Sequence, residues 1–237
     1  MKNYISINGN KTELSDEQLI NLGFSTATPA DVSVIKELSE LIQSGKAREK
    51  YNVNDIISVC GYELTIIGFD HDRDAKNPDK HTITVMAEAL LPGRAYHSSG
   101  KCERGWVDSE IRLYLNNDYI NKIPVELLKH IVYVKKETHN YKGDKVVTVD
   151  KLFIPSESEL FGSAIFSDYE DGARYEAFDN SDNRVRFDEN DDCAWYWTRS
   201  ARGGVSTPFC FVFSLGHASL IIASTATGRV PLCFTIA

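Results

Sequence analysis

The spacing of apolar residues changes character twice along the chain. Over residues 12–50 apolar positions recur three and four apart, which predicts helices. Ser15-Asp16-Glu17-Gln18 opens a short one, with Leu19, Ile20 and Leu22 apolar and Gly23 as its stop. Thr28-Pro29-Ala30-Asp31 starts a second, with Val34, Ile35, Leu38, Leu41 and Ile42 on one face. The pattern predicts an N-terminal helical extension over residues 1–50, either an interaction or oligomerisation arm or a helix packed on the main domain.

From residue 51 the pattern turns to strands. Ile56 to Cys60, a Gly61-Tyr62 turn and Glu63 to Ile67 predict a hairpin. Asp70 to Asp79 reads as a polar turn, and its aspartates 70, 72 and 74 as turn residues rather than a metal cluster. His81 to Leu91 predicts a further strand. Trp106-Val107-Asp108-Ser109 caps a helix running to Tyr119, and Pro124 to His130 adds a helical turn. Ile131–Val134 and Val146–Val149 predict strands around a loop at Tyr141-Lys142-Gly143-Asp144. Leu152 to Leu160 reads as a strand passing into a capped helix, and the acidic stretch 168–192 as a long excursion outside the core.

The C-terminal segment differs from everything before it. After Trp197 its only charged side chains, His aside, are Arg199, Arg202 and Arg229. Short apolar runs alternate with Gly216, Gly228 and Pro231, so the chain closes in β-structure. Trp195 and Trp197 alternate as core anchors, with Arg199 in a buried or half-buried polar contact. The run His217 to Thr227 lies between two glycines. It is either a plain core strand or an excursion whose solvent-facing apolar residues form a binding patch.

Composition narrows the function. The 237 residues carry 34 acids against 26 Lys plus Arg, a net charge of -8. That balance disfavours nucleic acid and anionic membrane surfaces as bulk electrostatic partners. No stretch has the ~18 apolar residues of a membrane span, and the first residues lack the apolar run of a signal peptide. The expected place of synthesis is a reducing cytoplasm. The cysteines, at 60, 102, 193, 210 and 233, form no C-x-x-C pair and read as free thiols. No P-loop, G-x-G-x-x-G, G-x-S-x-G or H-E-x-x-H motif is present. Asp179-Asn180-Ser181-Asp182-Asn183 resembles the start of a calcium loop but has Arg184 and Asn190 where Gly and Glu belong. An irregular calcium site would draw on Asp179, Asp182, Asp188 or Asp191.

Four stretches occur in an order that carries a resemblance. They are Trp106 to Asn116, Leu152 to Glu159, Trp195 to Ser200, and Gly228-Arg229-Val230-Pro231. Together they resemble a domain family of gut bacteria and their phages whose members look like C-type lectin folds of the formylglycine-generating-enzyme type. The resemblance spans about residues 51–237. It implies an α+β, C-type lectin-like domain with the N-terminal helical extension before it. Some proteins of that fold are variable proteins of diversity-generating retroelements, whose last segment is rewritten at template adenines. This chain's ending resembles theirs. Phe209, Cys210, Val212, Ser214, Gly216, Ala218, Ala223, Ser224, Gly228 and Pro231 stand at the constant positions. Between them Phe213, Leu215, His217, Ser219, Leu220, Ile221, Ile222, Thr225 and Thr227 are all reachable from an Asn codon by changing adenines.

The resemblance therefore implies a non-enzymatic, receptor-binding module with its variable segment at about 198–231. Ala201, Arg202 and Val205 would border a patch on one exposed face. It implies no cofactor and no metal. The implied partner is a protein or glycan on a cell or particle surface, with homo-oligomerisation and assembly on a phage particle both compatible. Two alternatives stand beside it: a calcium-dependent lectin using the 168–192 acids, and a formylglycine-generating-type enzyme using Cys210 and Cys233.

Overall fold

The computed structural model describes residues 27–237 in full, and before them the backbone of two paired strands, β1 (Asn3–Ile7) and β2 (Asn10–Leu14). The N-terminal portion thus opens with an antiparallel hairpin where helix alone was expected. The helix expected at Ser15 to Gly23 lies outside the described residues. The second expected helix forms as α1 (Pro29–Gln43). Thr28 caps it reciprocally with Asp31, and proline stands in the first turn, where its missing N–H costs nothing. Its buried face, Ile35, Leu38 and Ile42, joins the same apolar cluster as the strands that follow, so α1 packs on the main domain. The short α2 (Ala47–Lys50) follows.

A five-stranded antiparallel sheet is the centre of the molecule. It comprises β3 (Ile56–Val59), β4 (Tyr62–Phe69), β5 (Ile83–Ala87), β8 (Leu152–Phe153) and β12 (Cys233–Ile236), in the order β3-β4-β5-β12-β8. The β3–β4 hairpin lies where the alternation predicted it. Cys60 and Gly61 form its turn with φ of 52° and 76°, the left-handed pair that matches the twist of the flanking strands. The closing strand β12 pairs with β5, Cys233 opposite Met86 and Ile236 opposite Ile83, so the chain's end sits in the core. Both strands are buried throughout, which suits their unbroken apolar runs.

The connection from β5 carries α3 (Glu110–Leu113), a π-helical turn and α4 (Val125–Leu128). Ser109 caps α3 by accepting from the Arg112 N–H at 3.1 Å. A hairpin of β6 (Val134–His139) and β7 (Lys145–Asp150) follows, so the first of these strands begins where the expected one, at 131–134, ends. Ser156 and Glu159 form a reciprocal cap on α5 (Glu157–Phe161). The stretch 168–192 is largely irregular, as expected, but it is not an excursion outside the core: Tyr175, Ala177 and Phe178 are buried in it.

The second sheet has three antiparallel strands, β9 (Tyr196–Ala201), β10 (Pro208–Val212) and β11 (Ala218–Ile222), in the order β11-β10-β9. Helix and strand mix without segregated β-α-β units, which is the expected α+β class. No helix among the described residues is long and apolar enough to cross a membrane.

Candidate ligand-binding surface

The central strand of the second sheet fixes what its edge strand can show. Phe209 stacks on Tyr96 with ring centroids 3.8 Å apart, and Trp195 meets Trp197 and Phe211 edge-on at 5.2 and 4.9 Å. Cys210 and Val212, on the opposite face of β10, are also buried. Registry then assigns β11: Ile221 lies across from Phe209 and Ser219 across from Phe211, while Leu220 faces Cys210 and Ile222 faces Pro208. Directly opposed residues point to the same side, so β11 divides its side chains between the two faces. The expectation that the nine replaceable positions share one face is corrected here, because a strand has a side-chain period of two.

None of the nine is buried. Phe213, Leu215 and Ile222 are 48%, 62% and 57% exposed, and His217 and Thr227 are exposed too. Ser219, Leu220, Ile221 and Thr225 are half-buried, with Ile221 resting against the core cluster. Arg202 and Val205 are exposed beside them, but Ala201 is only 2% exposed and offers a ligand no side chain. The intervening positions behave oppositely: Phe209, Cys210, Val212, Gly216, Ala223, Gly228 and Pro231 are buried, although Ser214 and Ala218 are half-buried and Ser224 exposed.

Two glycines hold the hairpin by admitting close neighbours. A Cβ on Gly216, whose φ is 78°, would stand 2.2 Å from the Ser181 carbonyl, and one on Gly228 would stand 2.3 Å from Trp197 Nε1. Arg184 Nε donates to the Gly216 carbonyl at 3.0 Å, tying the hairpin tip to the acidic stretch.

Next to this surface lies a buried charge network: Arg199 makes the buried polar contact expected of it, with partners that the sequence did not single out. Arg199 donates from Nε to Thr138 and from its terminal nitrogens to the Ile154 and Asp171 carbonyls and both carboxylate oxygens of Glu159, which satisfies all five N–H groups. Lys136 Nζ meets Glu159 at 3.0 Å and the Tyr175 hydroxyl at 2.8 Å, and also pairs with Asp72. Burial pushes the Glu159 carboxyl up, but the Arg199 and Lys136 charges outweigh it and hold the group at about 2. Asp171 is raised instead: its burial outweighs Arg199 and the 2.8 Å contact with His139. A signal for this network stood in the strand period, since Val134, Lys136 and Thr138 share the inward face of β6. The aspartates 72 and 74, expected as turn residues, are both buried, and Asp74 accepts from the Lys76 N–H at 2.9 Å as a turn residue does.

The network also bears on metal binding. Among the described residues, one group of three potential metal ligands comes together, His71, Asp72 and Glu159, with ligand atoms within 4.8 Å of one another. The Lys136 ammonium already bonds both carboxylates, so a cation is in place without a metal. Asp179, Asp182, Asp188 and Asp191 do not form such a group, and Asp188 instead pairs with Arg229 at 2.7 Å. Cys210 and Cys233 lie in different sheets, both buried. Burial pushes both thiols far up, the reverse of what a metal-binding thiolate needs.

The residues that carried the resemblance are clamps of this frame. Trp106 Nε1 and Arg112 both donate to Asp150, Asn116 bonds the backbone of Lys151 and Leu152, and Glu159 receives Arg199. Comparison with known families matches residues 80–237 to a domain of unknown function, DUF6273, and the chain belongs to that family. No curated protein and no solved structure matches the chain.

Proposed function

We propose that this chain is a non-enzymatic binding protein whose C-terminal hairpin is a recognition surface diversified by a retroelement and carried on a C-type lectin-like frame. One observation carries the reading. Along 209–231 the positions occupied as in an unmutated ending are mostly buried, and none of the nine replaced ones is. Solvent-facing substitutions usually change stability by less than ~0.5 kcal/mol, so such positions tolerate rewriting while the frame persists. The exposed side chains Phe213, Leu215 and Ile222 would supply apolar contact area to a protein or glycan on another cell or particle.

A frame that joins an early strand to the last one, β5 to β12, and hangs a smaller sheet beside it supports a lectin-like reading. The test is sequencing the C-terminal coding segment across sister genomes, together with its neighbourhood. Substitutions concentrated at the nine positions, beside a near-repeat of the segment and a reverse-transcriptase gene, are the expected result. Substitutions spread evenly over buried and exposed positions would overturn the reading.

A further inference from the structure

A cleft of about 550 Å³ opens where β4 begins and β5 ends, and none of residues 209–231 lines it. Its size falls in the range of small-ligand sites. The segment Ala87–Pro92 forms one wall, with Ala89 and Pro92 exposed and Leu90 and Leu91 buried behind them. Three aromatic rings line the cleft as well, those of Tyr62, Tyr119 and Phe187. Tyr62 and Tyr119 join their hydroxyls at 3.2 Å, and Phe187 is 41% exposed. Phe187 is held there by its own backbone: its carbonyl accepts from Leu90 N–H at 2.9 Å, and it bridges to Ala89. An aromatic ring fixed in an open cleft is preorganised contact area.

The charged side chains that line the cleft are all acids, and a cation from outside reaches two of them. Glu63, Glu88, Asp188, Glu189 and Asp191 line the cleft, and no Lys, Arg or His does among the described residues. Arg229, from outside the lining, meets Asp188 and Glu189 at 2.7 Å each. Glu63 accepts from the Ser58 hydroxyl at 2.8 Å and Glu88 from the Thr65 hydroxyl, neutral donors that leave the charges uncompensated. An apolar ligand would desolvate these carboxylates without replacing their water, and an anion would be repelled. A cation is complementary to both the carboxylates and the aromatic faces.

We propose that this cleft binds an ammonium or guanidinium group on an aliphatic stem, the stem lying along Ala87–Pro92 and the cation between Phe187 and the acids. Such a group comes either as a free diamine or polyamine or as a Lys or Arg side chain of a partner segment. The site is independent of the hairpin surface and stands or falls without it.

Calorimetry on the full chain tests this with cadaverine, spermidine and a short lysine-bearing peptide, each against its N-acetylated form. The amine forms are expected to bind, acetylation to weaken binding at least ~10-fold, and added salt to weaken it further. The double variant Glu63→Gln/Asp191→Asn, which alters exposed acids only, is expected to cause a similar loss. Phe187→Ala is a second variant whose loss of binding does not depend on charge. Preference for spermidine or cadaverine assigns a free amine, and preference for the peptide assigns a partner side chain. No binding by any probe, equal binding of the acetylated forms, or binding unchanged in both variants would overturn the proposal.

Discussion

β9 and β11 flank the same central strand, and their chemistry is the reverse of their burial. β9 carries Thr198, Arg199 and Ser200, yet all six of its residues are buried. β11 carries Leu220, Ile221 and Ile222, yet none of its five is. The polar strand is inside because every polar group finds a partner there. The apolar strand is half outside because it packs chiefly on β10, whereas β9 is also covered by β6 and α5. Hydrophobicity alone would have exchanged the two.

The sharpest way to break this contrast is to remove one partner from beneath β9. Glu159→Ala leaves the Arg199 and Lys136 charges buried with less compensation. It is expected to lose about 3–5 kcal/mol in urea unfolding, or to leave the chain unfolded. Gly228→Ala is expected to cost about 1–3 kcal/mol, because its new Cβ collides with Trp197 and Trp195. Loss of near-ultraviolet tryptophan dichroism would report it.

Acid should separate two carboxylates of the network. Glu159 is held below its ordinary 4.5, so its contribution is present above that pH and is lost as pH falls towards about 2. Asp171 is raised, so its effect has the opposite sign: stability is lost as pH rises from its ordinary 3.8 through the higher folded value. Wild-type melting temperature should therefore fall more steeply between pH 4.5 and 2 than that of Glu159→Gln. Parallel curves for the two proteins would contradict the role given to Glu159.

The smallest effects belong to β11 and its turn. Leu215→Ser and Ile222→Ser are expected to stay within about 0.5 kcal/mol of wild type in thermal melts. Ile221→Ser should cost more, about 1 kcal/mol, since Ile221 rests on the core across from Phe209. Equal costs for Ile221 and Ile222 would mean that β11 is not divided between two faces.

Local order determined what the sequence could show by itself. The caps Thr28–Asp31, Ser109–Arg112 and Ser156–Glu159, the β3–β4 hairpin and the closing β-structure all depend on residues a few positions apart, so they were legible. After Phe209, too, most of the positions expected to belong to the frame are buried and none of the nine expected on the surface is. The N-terminal strand pair was missed although Ile5-Ser6-Ile7 alternates and the turn dipeptide Asn8-Gly9 stands between the runs, because Asn10–Leu14 is polar up to its last residue. Only the tertiary structure decided that Asp72, Lys136, Glu159, Tyr175 and Arg199 meet, since no local pattern joins residues so far apart in the chain. It alone decided that Ala201 is sealed while Leu215 is open, and that an acidic, ring-walled cleft forms from Tyr62, Glu88, Tyr119 and Phe187. Caps and turns are local contacts, whereas burial and charge compensation depend on which distant segments the fold brings against a residue.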